Sequence, residues 1–95
     1  MNFEWDHAKN DENIRKHYLD FSEAYQIFDG PMLFGTDDRF DYGEVRVLGI
    51  GVLRNLVVVI VFTEINDDTI RIISLRKALN KERVKFYEYL RNQLG

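Results

Sequence analysis

Apolar residues recur at helical spacing over residues 6–29 of the chain and at strand spacing over residues 32–75. Residues 3–5 are predicted to form a short strand, and Asp6 is the expected N-cap of the helix that follows. Ile14 and Tyr18 lie four positions apart in this helix, so both are expected to face the core. A neighbouring polar face of the same helix is predicted to carry Lys9, Asn13 and Lys16.

A second helix is predicted to begin at Asp20. Glu23 follows at the spacing of a capping box, in which two side chains bond to the free N–H groups of the first turn. The sequence Asp29-Gly30-Pro31 is predicted to end the helix, since proline cannot continue it. Its predicted buried side consists of Phe21, Ala24 and Phe28.

Extended segments follow the two helices. Residues 32–36 are predicted as an edge strand, residues 37–42 as a polar loop, and residues 44–53 as a strand with alternating side chains. Arg54-Asn55 is predicted as a tight hairpin turn. It leads into residues 56–64, whose unbroken apolar run indicates a central strand buried on both faces.

The C-terminal part is predicted to complete the sheet and add one helix. Residues 66–68 form a predicted turn into a strand at residues 69–75, and residues 79–94 form a helix with Asn80 as its N-cap. One face of that helix carries Val84, Tyr87, Leu90 and Leu94. The predicted class is therefore α+β, with an antiparallel β-meander packed against two N-terminal helices and a C-terminal helix.

The composition indicates a single domain, residues 1–95. The chain is 45% hydrophobic and 14% aromatic, enough for a packed core. It contains no cysteine, which excludes a disulfide framework and a thiolate metal site. Its longest apolar run, residues 56–62, is shorter than the roughly 20 residues of a membrane-spanning helix, and the chain does not begin with a signal pattern. We therefore expect a cytoplasmic protein with no membrane partner.

The net charge of −3 conceals an uneven distribution of charge. Residues 1–68 carry a balance of −8, whereas residues 69–95 carry +5. Such a division is typical of a protein that meets an anion on one surface and a basic partner on another. The alternative is that the C-terminal helix is simply a well-solvated basic helix.

Three segments together resemble the BrnT family of bacterial type II toxins. Residues 3–17 match the pattern FEWD-x-x-K-x-x-x-N-x-x-K-H, residues 21–31 match F-x-E-A-x-x-x-F-D-x-P, and residues 71–76 match R-I-I-S-x-R. The resemblance covers most of the chain, in the family's order. It implies a RelE-like fold and a metal-independent endoribonuclease that cleaves RNA. It also implies neutralisation by a cognate antitoxin, a ribbon-helix-helix DNA-binding protein, in a hetero-oligomer with the toxin.

The implied reaction requires cations that stabilise the charge developing on a phosphate. The resemblance makes Arg71 and Arg76 the first candidates, because family members place arginines at both positions. Strict strand alternation places Arg71 on the face opposite Ser74 and Arg76. The two arginines can therefore reach one site only if the strand ends or bulges near Ser74. The alternative is that they cover the sheet edge or pair with acids.

The reaction also requires a base for the 2′-hydroxyl proton and an acid for the leaving oxygen. The chain offers Glu64, His7 and His17 as proton carriers, and Glu64 and His17 are the candidates that match the family pattern. The family pattern His-Thr-Glu-Arg reads Phe62-Thr63-Glu64-Ile65 in this chain, so a proton carrier and a cation are replaced. The alternative function is thus a toxin fold that binds RNA or protein without cleaving. Alternatively, Glu64 is a solvated strand-end carboxylate, and His17 only complements the helix dipole.

The remaining candidates are contacts with RNA. Phe3 and Trp5 are expected to be core anchors, with stacking on a base as the alternative. His7 has no counterpart in the family pattern, and we expect no specific role for it. The chain has no metal-binding or nucleotide-binding motif, so neither a metal nor a cofactor is expected. The predicted RNA-binding residues are Lys9, Lys16, Arg46, Ser74 and Lys77.

Overall fold

The strands and helices of the protein follow one another in the order β-α-3₁₀-β-β-β-β-α. The computed structural model describes residues 1–38 and 43–94. The strands are β1 (Asn2–Trp5), β2 (Leu33–Thr36), β3 (Val47–Leu53), β4 (Leu56–Asn66) and β5 (Thr69–Lys77). The helices are α1 (His7–His17), a 3₁₀ helix (Phe21–Asp29) and α2 (Asn80–Leu94). The predicted α+β class is confirmed.

The five strands form one mixed sheet in the order β1-β5-β4-β3-β2. The strands β2 to β5 pair antiparallel in sequence, as the predicted meander requires. The strand β1 differs, because it pairs parallel to β5 at the edge of the sheet. Parallel neighbours need a long crossover between them, and the chain from α1 to β4 supplies it. The prediction of a purely antiparallel sheet is therefore wrong at β1.

The turns on either side of β4 lie where the sequence predicts them. Arg54 and Asn55 have φ values of 49° and 67°, the positive values of a two-residue hairpin turn. The N–H of Asp68 donates to the side-chain oxygen of Asn66 at 3.0 Å in the next turn.

As predicted, β4 is the central strand, and residues 57–63 are buried along it. Of the predicted loop at residues 37–42, positions 39–42 lie outside the described residues, and β3 begins only at residue 47.

The predicted second helix is present, and it is a 3₁₀ helix, whereas the predicted buried side follows α-helical spacing. Asp20 is its N-cap and accepts a hydrogen bond from the N–H of Ser22 at 2.9 Å. The Glu23 carboxylate pairs with Arg54 at 3.1 Å. Three residues per turn place every third side chain on one face. The residues buried on the core side are accordingly Phe21, Ala24 and Ile27, whereas Phe28 is only partly buried.

The sheet separates two groups of buried side chains. The larger group joins the 3₁₀ helix to β4 and β5, and it includes Phe21, Ile60 and Ile72. The smaller group lies under α2, where Phe86 packs with Val59 and other residues of β3 and β4. The helix α2 thus turns Phe86 toward the sheet. Of the apolar face that was predicted from spacing, Leu90 packs against this smaller group, whereas Val84, Tyr87 and Leu94 are exposed.

The first turn of α2 is capped differently from the prediction. Leu79 occupies the position before the helix, and its carbonyl oxygen accepts from the N–H groups of Glu82 and Arg83 at 3.0 Å. The Glu82 carboxylate accepts from the Leu79 N–H at 2.7 Å. Asn80 is therefore the first helical residue and not the N-cap.

Candidate functional site

The helix α1 lies along the part of β5 that β1 does not reach. The strand β1 pairs with residues 69–72 of β5. The helix α1 contacts β5 after this pairing has ended. The amide group of Asn13 accepts from the N–H of Leu75 at 3.1 Å and donates to its carbonyl oxygen at 2.8 Å. It also donates to the carbonyl oxygen of Leu19 at 3.0 Å. One buried side chain therefore takes the place of a neighbouring strand at this edge.

A second asparagine joins α1 to the 3₁₀ helix. The side-chain oxygen of Asn10 accepts from the N–H of Phe21 at 2.8 Å, and its amide donates to Asp20 at 3.0 Å. Hydrogen bonds from the Ser22 N–H and from Asn10 lower the pKa of Asp20. The buried side of α1 is thus polar, with Asn10 and Asn13 inward. The predicted core positions are wrong here, because Ile14 and Tyr18 are exposed.

The strand β5 contains a β-bulge at Ile73. Phe62 pairs with Ile72 and Val61 pairs with Ser74, so Ile73 has no partner across the ladder. Thr63, Val61 and Val59 alternate onto one face of β4, and their partners are Arg71, Ser74 and Arg76. The bulge lies next to Ser74, which is the condition that the sequence set for the two arginines to reach one face. It places both arginines on the same face of β5.

A cavity of about 250 Å³ opens between α1 and the bulge. Its lining residues are Lys9, Glu12, Asn13, Lys16, His17, Ile73 and Ser74. A second cavity of about 360 Å³ shares Lys9 and Ile73 with it and adds Arg71. We call the two cavities together the α1–β5 groove. Five of the candidates from the sequence line this groove: Lys9, Lys16, His17, Arg71 and Ser74.

Two cations of the groove are paired with exposed carboxylates. Lys16 lies 2.7 Å from Glu12, and the hydrogen bond and charge of Lys16 lower the pKa of the Glu12 carboxyl. Arg71 lies 3.1 Å from Glu4. Lys9 makes no ion pair with any residue that the structure describes. Exposed pairs contribute little to stability, so a phosphate can displace these carboxylates at low cost.

Arg76 contacts α2 instead of the groove. Its guanidinium donates to both oxygens of Glu82, at 2.8 and 2.9 Å. The bond from Arg76 is the first cause of a lowered pKa at Glu82, and the Leu79 N–H adds to it. Arg76 thereby links β5 to the start of α2. Lys77, the last residue of β5, is exposed, and its carbonyl oxygen accepts from Arg76 at 3.3 Å.

Glu64 and Arg46 lie away from the groove. Glu64 pairs with Ile70 across the β4–β5 ladder, whereas Thr63 pairs with Arg71, so Glu64 and Arg71 extend from opposite faces of the sheet. Arg46 lies before β3 and pairs with Glu44 at 3.5 Å. The structure therefore does not place these two candidates beside Lys9 and His17. His7 begins α1 and is exposed.

Three residues that line the first cavity were missed by the sequence prediction of the site: Glu12, Asn13 and Ile73. Asn13 had a usable signal, because it stands between Lys9 and Lys16 in the first family pattern. Its spacing from them also placed it on the predicted polar face, which does line the groove. The bulged Ile73 gave no local signal, because an apolar residue in a strand is the normal case.

Two further observations apply to the described part of the chain. Within residues 1–38 and 43–94, no group of three or more His, Cys, Asp or Glu side chains is arranged to hold a metal ion. Over the same residues, no helix has the length and apolar composition needed to cross a membrane.

The mixed sheet and three helices define a small α+β protein. Its α1–β5 groove, where Lys9, Lys16 and Arg71 lie together with Glu4, Asp6 and Glu12, is a candidate anion-binding site. A family model described as "Ribonuclease toxin, BrnT, of type II toxin-antitoxin system" matches residues 5–82. The chain therefore belongs to the BrnT family of ribonuclease toxins, and the resemblance seen in its sequence is confirmed. A search of curated proteins found no match.

A solved structure supports the same fold. The crystal structure of the Brucella abortus ribonuclease toxin, BrnT, aligns with a TM-score of 0.65 at 24% sequence identity. The alignment covers 84% of this chain and 99% of that one. At this identity the likeness concerns the fold, so the chemistry of the site must be argued from the side chains of this chain.

Proposed function

We propose that the chain is the toxin of a type II toxin-antitoxin module and that it cleaves RNA at the α1–β5 groove without a metal ion. The observation that carries this proposal is the cavity between α1 and the bulge of β5. It gathers two lysines, a histidine and a serine in one concave site, together with Glu12. Phosphate recognition requires cations of this kind, and proton transfer requires a group such as imidazole. The membership of the BrnT family supports the reaction class.

The phosphate of the scissile nucleotide would lie between Lys9 and Lys16. Arg71, in the adjoining cavity, would bind the next phosphate, since its planar guanidinium can donate two parallel hydrogen bonds. The hydroxyl of Ser74 would bond to a phosphate oxygen or a ribose hydroxyl. In this arrangement Glu12 holds Lys16 in place at 2.7 Å until the substrate arrives.

His17 is the proton carrier in this proposal. In the reaction, a base removes the 2′-hydroxyl proton, the 2′-oxygen attacks the adjacent phosphorus, the bond from phosphorus to the 5′-oxygen breaks, and the leaving oxygen receives a proton. His17 lines the same cavity as the two lysines, whereas Glu64 lies on the opposite face of the sheet from Arg71. A proton-transfer group must be within hydrogen-bond reach of the reacting oxygen, which favours His17 over Glu64.

Cleavage of a labelled RNA by the purified protein tests the proposal. We expect cleavage with and without EDTA, products that end in a cyclic phosphate, and activity lost in His17→Ala but retained in His7→Ala. The two histidines lie at opposite ends of α1, so His7→Ala is a matched control. Cleavage that stops with EDTA, or that is equal in the two variants, would reject the proposed mechanism.

A second function has its own support. The replacement of the family's histidine and arginine by Phe62 and Ile65 favours a module that binds RNA or protein without cleaving it. Such a module would bind the RNA through the α1–β5 groove and leave it intact. The cleavage experiment, run beside an RNA-binding measurement, separates the two functions.

The proposed toxin would act in the cytoplasm, adopt the RelE-like arrangement of its family, and form a hetero-oligomer with a ribbon-helix-helix antitoxin. The basic stretch from β5 to α2 is the surface that an acidic antitoxin segment would cover. This stretch includes Arg71, Arg76, Lys77, Lys81 and Lys85. Contact there would also exclude RNA from Arg71.

A further inference from the structure

A second concave surface lies at the end of β4, away from the α1–β5 groove. A cavity of about 430 Å³ has walls formed by Phe28, Phe34 and Phe62, with Glu64 and Asp67 at its polar side. An adjoining cavity of about 460 Å³ shares Glu64 and Val47 with it. We call the two cavities together the acidic–aromatic surface. Among residues 1–38 and 43–94, it shares no lining residue with the α1–β5 groove.

The aromatic wall is held in a fixed geometry. The ring of Phe62 is buried and makes edge contacts with Phe28 and Phe34, at centroid distances of 5.4 and 6.5 Å. Phe34 is nevertheless 57% exposed, and in the adjoining cavity Val45 is 71% and Ile65 is 43% exposed. Apolar side chains grouped in this way, with a polar rim, are typical of surfaces that bind another protein.

The rim of this surface is acidic. Glu44, Glu64 and Asp67 line the two cavities, and no lysine or arginine of the described residues does so. Glu44 is paired with Arg46 at 3.5 Å, which leaves Glu64 and Asp67 as the carboxylates that a partner can reach. Met1, which carries the N-terminal amino group, also lines the first cavity. The family pattern has an arginine where this chain has Ile65, and a histidine where it has Phe62. The two replacements leave an apolar surface with acidic residues where the pattern has basic groups.

We propose that the acidic–aromatic surface binds a basic segment of a protein partner. An aromatic or long aliphatic side chain of the partner would enter the cavity between Phe28, Phe34 and Phe62. A lysine or arginine next to it would pair with Glu64 and Asp67. The carboxylates select against RNA, because they repel phosphate, and they select for a cationic segment by charge complementarity. Since the surface is separate from the groove, this binding does not depend on RNA cleavage.

Fluorescence anisotropy with labelled peptides tests the binding. The probe is a nine-residue peptide in which lysines alternate with leucines around a central phenylalanine. One control peptide has glutamate for every lysine, and another has serine for every apolar residue. We expect only the first peptide to bind, and its affinity to fall as salt rises.

Substitutions locate the binding on this surface. We expect Phe34→Ser, and independently Ile65→Ser, to weaken binding of the basic apolar peptide at least about tenfold, as loss of an anchor in an interface does. The double variant Glu64→Gln with Asp67→Asn should weaken it similarly. The controls are Leu94→Ser and Glu88→Gln, exposed residues of α2 outside the surface. They should bind the peptide like the unchanged chain.

Three outcomes with the peptides would overturn the proposal. These are equal binding of the serine peptide, equal binding of the glutamate peptide, and unchanged affinity in both apolar variants. A dimer that dissociates in Phe34→Ser would also overturn it, since a second copy would then be the occupant. A melting curve of each variant identifies any that fail to fold, and Phe34 and Ile65 serve as independent tests.

Discussion

The side-chain amide of Asn13 satisfies both backbone groups of Leu75, accepting from its N–H at 3.1 Å and donating to its carbonyl oxygen at 2.8 Å. These are the groups that a further strand would bind, and β1 has already ended at Trp5. Unpaired strand edges favour association with other chains, so Asn13 protects β5 at this position. The same contact fixes α1 over the bulge at Ile73, and the cavity with Lys9 and His17 lies between them.

Replacing Asn13 by alanine should therefore destabilise the fold. The change leaves the N–H of Leu75 without its partner in a buried environment, and it removes the donor for the carbonyl oxygens of Leu19 and Leu75. We expect the free energy of unfolding to fall by about 1–3 kcal/mol, measured by urea denaturation. The control is Asn92→Ala on the exposed side of α2, which should change it by less than about 0.5 kcal/mol. Equal effects of the two substitutions would contradict the bonding described.

The Arg76–Glu82 pair should make stability depend on acid pH. The pKa of Glu82 lies below its ordinary value of 4.5, first because of Arg76. A carboxyl whose pKa is lowered on folding stabilises the protein above its unfolded pKa, and this contribution is lost as pH falls through the folded pKa. We expect Arg76→Met to lower the free energy of unfolding by about 1–2 kcal/mol at pH 7. The difference in the free energy of unfolding between Arg76→Met and the unchanged chain should shrink as the pH falls below 4.5.

The matched control for this prediction is Lys77→Met, which alters the exposed neighbour of Arg76 and should not show the same pH dependence. If the difference in the free energy of unfolding between Arg76→Met and the unchanged chain is constant from pH 7 to pH 3, the stabilising role of the Arg76–Glu82 pair is contradicted. The pair also affects the interpretation of function. A loss of toxicity in Arg76→Ala has to be compared with its stability before Arg76 is assigned a role at the phosphate.

Two glycines of β3 should differ in their tolerance of alanine. A Cβ atom at Gly51 would lie 2.7 Å from the Cγ2 of Ile27, which is fully buried. At Gly49 the nearest atom, at 2.8 Å, is the terminal methyl of Met32, and a methionine end can move aside. We expect Gly51→Ala to lower the free energy of unfolding by about 1–3 kcal/mol, and Gly49→Ala to lower it by less. Equal losses in the two variants would show that the flexibility of Met32 does not matter.

The strands could be predicted from the sequence because their signals are local. The apolar run of β4 and the turn at Arg54-Asn55 depend only on neighbouring residues. The pairing of β1 with β5 joins residue 2 to residue 69, and no local pattern encodes such a contact. The positions of Ile14 and Tyr18 were wrong for a related reason. Apolar spacing assumes an apolar contact surface, whereas α1 lies against the backbone of a strand edge.

The candidate site could be predicted in part. Lys9, Asn13 and Lys16 follow helical spacing, so their common face was predictable, and they all line the groove. The family pattern indicated Arg71 and Arg76 equally. The choice between them depends on Glu82, which binds Arg76 from the next helix, and this contact is visible only in three dimensions. The position of Glu64 on the opposite face likewise follows from the register of β4 and β5.

Cations of the α1–β5 groove should be required for toxicity. Expression of the chain without an antitoxin is expected to arrest growth, and Lys9→Ala or Arg71→Ala should relieve the arrest. Loss of one positioned donor typically reduces the rate about a hundredfold to a thousandfold. Both side chains are exposed, so the melting temperature should remain near that of the unchanged chain. The control is Lys85→Ala on α2. Growth arrest that is unchanged in both groove variants would reject the assignment.

Association with the antitoxin should be sensitive to salt. The proposed acidic antitoxin segment meets the basic stretch that continues from β5 into α2, where Lys81 and Lys85 are exposed. Electrostatic complementarity mainly raises the association rate, and exposed charges are screened beyond about 10 Å at moderate salt. Stopped-flow mixing should therefore show association that slows as salt rises and slows further when Lys81 and Lys85 are replaced by glutamate.

The control is reversal of the charge of Arg54, at the β3–β4 hairpin, which should have a smaller effect on the association rate. If the rate responds neither to salt nor to the lysine reversals, then apolar contact with the exposed Val84 and Tyr87 governs docking, and the electrostatic account of neutralisation is wrong.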